Sequence, residues 1–73
     1  MKGHYTVVIE KADGNWGGYI PDLPVCLATG ATPGEVYQRL QELAELYVEE
    51  LRKDGKPIPE PSTVSAQVSV NVA

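Results

Sequence analysis

A single cysteine, Cys26, excludes an internal disulfide. Adding the one histidine, His4, still leaves too few ligands for a four-coordinate zinc site within one chain, so no metal or cofactor is expected. Phenylalanine is absent, and the five aromatics Tyr5, Trp16, Tyr19, Tyr37 and Tyr47 lack the basic interleaving of a single-stranded nucleic-acid platform. Basic residues are scarce as well. Six face ten acidic residues for a net charge of −4, which argues against binding a phosphate backbone and so against DNA as a partner. No apolar run approaches the ~18 residues of a membrane span, and no charged-then-apolar leader suggests secretion. The expected compartment is a reducing cytoplasm. What remains is one short domain, residues 1–73. A chain of this size buries only roughly 60–65% of its unfolded surface. With disulfide and metal excluded, self-association is the remaining means of stabilisation.

The chain is organised around the stretch from Trp16 to Glu35. Before it, His4 to Lys11 reads as a strand with Tyr5, Val7 and Ile9 on one side and Thr6, Val8 and Glu10 on the other. Asp13-Gly14-Asn15 is hairpin chemistry, and Trp16 to Ile20 returns antiparallel. Gly17 and Gly18 weaken that second strand and suggest a bulge or a close approach by another backbone. Pro21 and Pro24 each remove a backbone donor and hold Ile20 and Leu23 extended, so Pro21-Asp22-Leu23-Pro24 reads as a turn. Val25 to Thr29 is the third strand. Thr32, Pro33 and Glu35 then carry three agreeing helix-start signals: an N-cap, a proline at the first helical position and a capping box.

The helix is expected from about Pro33 to about Lys53, with Val36, Leu40, Leu43, Ala44, Tyr47 and Leu51 on one apolar face. Arg52 and Lys53 suit the negative end of the helix dipole, and Gly55 can take a left-handed cap. Lys56 to Pro61 is a stiff extended connector. Val64 to Val72 alternates strictly between Val or Ala and polar residues, and so reads as a fourth strand with one buried face. The expected fold is α+β, in the order β-β-β-α-β. A right-handed crossover puts the last strand beside and parallel to the first, giving a four-stranded sheet of order 3-2-1-4 with one helix on one face. The second sheet face is then uncovered. Either Val25 and Leu27 or Cys26 and Ala28 must point out of it, an apolar patch of the kind that marks interaction sites.

The run Gly18-Tyr19-Ile20-Pro21-Asp22-Leu23-Pro24-Val25-Cys26, followed by Thr29-Gly30-Ala31-Thr32 and Glu35, resembles the HicB-like antitoxin family. The resemblance extends to the Tyr5-to-Glu10 strand and to Ile58-Pro59-Glu60-Pro61-Ser62. Two positions depart from the family pattern: Val25 stands where a glycine is usual, and Val36 where an alanine is usual. The resemblance implies a truncated ribonuclease-H-like arrangement. It also implies a non-catalytic module whose partner is a small basic RNA-cleaving toxin of the HicA type. Relatives that bind DNA carry an added C-terminal domain. This chain is expected to end at Ala73 without one, so DNA binding is not carried over.

Individual residues divide between chemistry and architecture. Glu10 and Glu35 are the only acids placed for two-metal nuclease chemistry, which needs several converging carboxylates; a solvated strand-end residue and a helix cap account for them better. Cys26 lacks a base beside it and reads as a small buried hydrophobe. The Gly14-to-Gly18 run does not sit between a strand and a helix, so it is no phosphate loop. Asp22 is weighed both as the cap of its own turn and as a partner contact. Trp16 and Tyr19, types that dominate protein-contact hot spots, join Val8, Leu27 and Asp22 as candidate partner-binding residues, with ordinary core as the alternative for the two aromatics. Glu42, Glu45, Glu49 and Glu50 make an acidic helix surface. The favoured function is toxin neutralisation through the sheet face and acidic surface. The alternatives are a homo-oligomeric domain without a toxin and, less favoured, a divergent metal-dependent nuclease.

Overall fold

A computed structural model describes residues 3–72 of the chain. The elements are β1 (Val8–Ala12), β2 (Asn15–Ile20), β3 (Leu23–Gly30) and α1 (Pro33–Lys53). The strands form an antiparallel meander in the order β1-β2-β3. Asp13-Gly14 closes the first hairpin between the paired residues Ala12 and Asn15. Gly14 adopts φ +79°, a conformation that side-chain-bearing residues rarely take. The second turn is shorter than expected, because Ile20 pairs with Leu23 and β3 is already under way at Pro24. Proline is tolerated there because β3 lies at the sheet edge, where one side of the strand needs no donor.

The helix begins and ends as its sequence requires. Thr32 is the N-cap, and its Oγ1 accepts from the Glu35 N–H at 3.2 Å. Only this half of the capping box forms, because the Glu35 carboxylate turns to Arg39, 3.5 Å away. At the far end Gly55 takes φ +66°, its N–H donating to the Arg52 carbonyl at 3.2 Å while Lys56 N–H donates to the Leu51 carbonyl at 2.9 Å. This pair of hydrogen bonds closes the helix as a Schellman motif.

The core is small: Ile20, Leu23, Cys26, Val36 and Leu40 are each at most 2% exposed. Tyr5, Val7, Ile9, Trp16, Ala28, Ala44, Tyr47 and Val48 pack around it, half-buried. Leu43, expected in the buried helix face, is instead 37% exposed. Gly18 explains how close the helix lies. A Cβ at this position would sit 2.7 Å from Val36 Cγ1, 2.8 Å from the Val8 carbonyl oxygen and 3.0 Å from Leu40 Cδ1. The glycine therefore receives the helix rather than the backbone of a partner. Val36 fills the space that the missing side chain leaves.

The fourth strand is a correction. Among the described residues, 64–72 join no ladder, and the order 3-2-1-4 is not formed. Val64, Val68 and Val72 are 86–90% exposed. The connector is extended as expected, but it is tied across one end of the sheet. The Tyr5 hydroxyl donates to the Pro59 carbonyl, and Thr6 Oγ1 donates to the Thr63 carbonyl at 2.8 Å. Beyond that anchor the valines stay exposed, and the longest extent of the molecule is 52 Å. Alternation prepares two faces on an extended chain, but it does not supply the strand against which the backbone must bond.

Candidate protein-binding face

Residues opposite one another in a ladder project from the same side of a sheet. Val8 pairs with Tyr19, and Tyr19 pairs with Leu27. These three form one row across all three strands. Their neighbours in the next row, Ile9, Gly18 and Ala28, lie beneath the helix, because Gly18 meets Val36 and Leu40. The Val8–Tyr19–Leu27 row thus occupies the face that α1 leaves open. Val25, two residues from Leu27 on β3, shares it. Tyr19 is 39% exposed, Val25 64% and Leu27 65%. The bulk of Val25 is accommodated because it points outward. Of the two facings left open by the sequence, the structure therefore has Val25 and Leu27 outside and Cys26 and Ala28 inside.

Three of the expected contact residues, Val8, Tyr19 and Leu27, are brought together. Trp16 is not among them. It stands two positions from Gly18 on the same strand and so lies on the helix side, where it packs half-buried against the core. The Lys11 ammonium lies 6.0 Å from the centroid of its ring, within reach of a cation–π contact. Strand alternation puts Trp16 and Tyr19 on opposite faces, so they cannot serve one surface.

Asp22 has a structural role, though as an anchor for the C-terminal arm rather than as the cap of its own turn. Its carboxylate gathers four hydrogen bonds from the start of the C-terminal arm. Ser62 N–H donates to Oδ2 at 3.0 Å and Ser62 Oγ to Oδ1 at 3.0 Å, while Thr63 N–H donates to Oδ2 at 3.1 Å and Thr63 Oγ1 to Oδ1 at 2.9 Å. The Ser62 and Thr63 amides, foremost among these donors, hold the Asp22 carboxyl below its ordinary pKa, partly opposed by desolvation. The sequence signal for this clamp is an Asp in a proline turn together with a Ser-Thr pair about forty residues away. Spacing of that kind is silent until the fold joins the two.

The two carboxylates weighed for nuclease chemistry are not brought together. Glu10 pairs with Gly17 on the open face, while Glu35 begins the helix on the other side of the sheet. Among the described residues, no group of three or more His, Cys, Asp or Glu side chains is placed to hold a metal ion. Cys26 is buried, and burial pushes its thiol pKa up, away from the reactive thiolate. No helix among the described residues is long and apolar enough to cross a membrane.

Comparisons with known proteins give the chain's relatives. A family profile described as the HicB-like antitoxin of bacterial toxin–antitoxin systems matches residues 5–71. The UPF0150 protein ssr1765 of Synechocystis sp. is 34% identical over 70 residues, covering 94% of this chain and 89% of the relative. A second protein of that organism, UPF0150 protein ssr1258, is 34% identical over 55 residues, or 74% of this chain and 80% of the relative. No solved structure matches the chain.

Proposed function

Because the chain belongs to the HicB-like antitoxin family, we propose that it is a non-catalytic cytoplasmic module that binds and neutralises a small basic RNA-cleaving toxin of the HicA type. The observation that carries this reading is the open sheet face. Tyr19, Val25 and Leu27 stand exposed, with Val8 half-buried beside Tyr19, as an apolar surface on the face opposite α1. Such a surface is a candidate centre for an interface, with a polar rim around it. The net charge of −4 favours a basic partner by raising its encounter rate and disfavouring acidic competitors. Glu42, Glu45, Glu49 and Glu50, exposed along α1, supply the acidic surface. Neutralisation needs no reacting group on this chain, because covering the toxin's RNA-binding surface is sufficient.

The test uses the product of a short basic reading frame adjoining the gene. Purified with this chain, it should form a complex and lose its RNA cleavage at equimolar ratio. Leu27→Glu should weaken that complex by at least ~10²-fold, the effect of a buried unpaired charge at an interface centre. Its thermal midpoint should stay unchanged, since Leu27 is 65% exposed in the free chain. Cleavage that continues at excess antitoxin would overturn the reading.

A further inference from the structure

A groove lies on the helix side of the sheet, where α1 leans over β3 and β2 and away from β1. Its bottom is the border of the core itself, lined by Val7, Ile20 and Leu40. One wall is α1, where Tyr37 stands 52% exposed. The other is the connector, where Ile58 is 38% exposed and Pro59 and Pro61 stiffen the backbone. That second wall is held in place. The Tyr5 hydroxyl donates to the Pro59 carbonyl, and the Asp22 carboxylate accepts from Ser62 and Thr63 just beyond it. A groove whose wall is already fixed needs little ordering when it is filled. Its volume, about 830 Å³, is that of a binding site rather than of a packing defect.

The charges at the groove are mostly of one sign. Glu45 and Glu49 on α1 and Glu60 on the connector line it, against Arg52 and a neutral His4. Arg52 is already taken, with its Nη1 lying 3.0 Å from Glu49. Glu45 accepts a hydrogen bond from the neutral amide of Gln41 at 2.8 Å. Among the described residues, neither Glu45 nor Glu60 has a cation within ion-pair reach. An uncompensated carboxylate therefore stands on each wall, above an apolar bottom. Lysine and arginine have the matching build: an apolar stem that packs on carbon and a charged head that stays at the wet rim. Tyr37, on α1 two turns before Glu45, adds a ring that can receive a cation.

On the reading of this chain as a toxin-binding module, we propose that the groove takes a lysine- or arginine-bearing apolar segment of the basic protein partner, as a second contact besides the open sheet face. Net charge alone would draw a basic protein to any side of the chain. The groove gives that attraction an address, because its unpaired carboxylates border apolar carbon that a basic side chain can cover. The two surfaces meet at the start of β1, where Val8 belongs to the open-face row and Val7 lines the groove. A partner that wraps this edge of the sheet reaches both.

The experiment takes the full chain and the product of the short basic reading frame adjoining the gene. Glu45→Lys combined with Glu60→Lys should weaken the complex by at least ~10-fold, mainly through slower association, with a loss that shrinks as salt rises. Glu42→Lys combined with Glu50→Lys makes the same change in net charge away from the groove, and should weaken it by less than ~3-fold. All four glutamates are exposed, so the thermal midpoints should stay unchanged. Tyr37→Ala, which strips the ring from the helix wall, should also weaken the complex by about 10-fold. With the partner bound, nuclear Overhauser effects should run from its lysine or arginine methylenes to the Ile58 methyls. Equal losses from the two glutamate pairs would show attraction without an address and overturn the proposal. A partner that makes no contact with Ile58 overturns it as well. Neither of those results touches the toxin-binding reading, whereas failure of the unaltered chain to form any complex removes both.

Discussion

The first strand and the C-terminal arm are written in much the same code, yet they end in different places. Both carry β-branched apolar residues, Val8 and Ile9 in β1 and four alternating valines in the arm. β1 sits in a ladder with its Val8 and Ile9 half-buried, whereas the arm leaves its valines in water. The difference lies in the connections that flank the two segments. After β1, Asp13-Gly14 reverses the chain within two residues, so its partner arrives at the small entropic cost of a short loop. The arm must reach an edge from beyond a 21-residue helix and a proline-stiffened connector. Its base, Ser62 and Thr63, is held by Asp22, and the valines beyond stay exposed. Alternation specifies which sides of a strand differ. The partner is specified by the connection.

Three sets of changes put that contrast at risk, taken from the largest effect down. Gly18→Ala should disrupt the body, because the new methyl would overlap Val36, Leu40 and the Val8 carbonyl. A cost of about 1–3 kcal/mol is expected for such overpacking, read as a fall in the urea midpoint. Gly17→Ala, whose Cβ would find nothing nearer than 3.8 Å, should change stability by about 0.5 kcal/mol or less. Equal effects from the two glycines would mean that the helix does not press on β2.

Removing the helix cap is the intermediate case. Thr32→Ala deletes the hydroxyl that accepts from Glu35 N–H and should cost about 0.5–2 kcal/mol. An unchanged midpoint on chemical denaturation would show that α1 is nucleated from within rather than from its start.

The smallest effect belongs to the arm alone. Asp22 has its carboxyl pKa lowered in the folded state from an ordinary 3.8. The stabilisation it provides is therefore complete above that value and is lost as pH falls through the lower folded value. Hydrogen exchange at the Ser62 and Thr63 amides should accelerate only on acidification below about 3.8, while α1 amides keep their protection. Asp22→Asn, which replaces one acceptor oxygen with a donor, should loosen the same two amides at neutral pH. Protection at Ser62 and Thr63 that is indifferent to both changes would place the anchor elsewhere, on Thr6 and Tyr5.

Local chemistry alone settled a good deal. The Asp-Gly hairpin, the Thr32-Pro33 helix start and the Gly55 stop each need only neighbours within four residues, and each forms where the sequence puts it. The α+β class and the three-strand meander follow, since short turns leave antiparallel pairing as the only choice. The contact row was legible in its parts, Val8, Tyr19 and Leu27, but the sequence left two facings of β3 open. Tertiary packing chose between them by seating Val36 and Leu40 on Gly18, which sends Cys26 inward, Leu27 outward and Trp16 to the far side from Tyr19. Packing also set the fate of Asp22 and of the arm. Both depend on groups some forty residues apart meeting at one end of the sheet, and no periodicity in the sequence carries a distance of that kind.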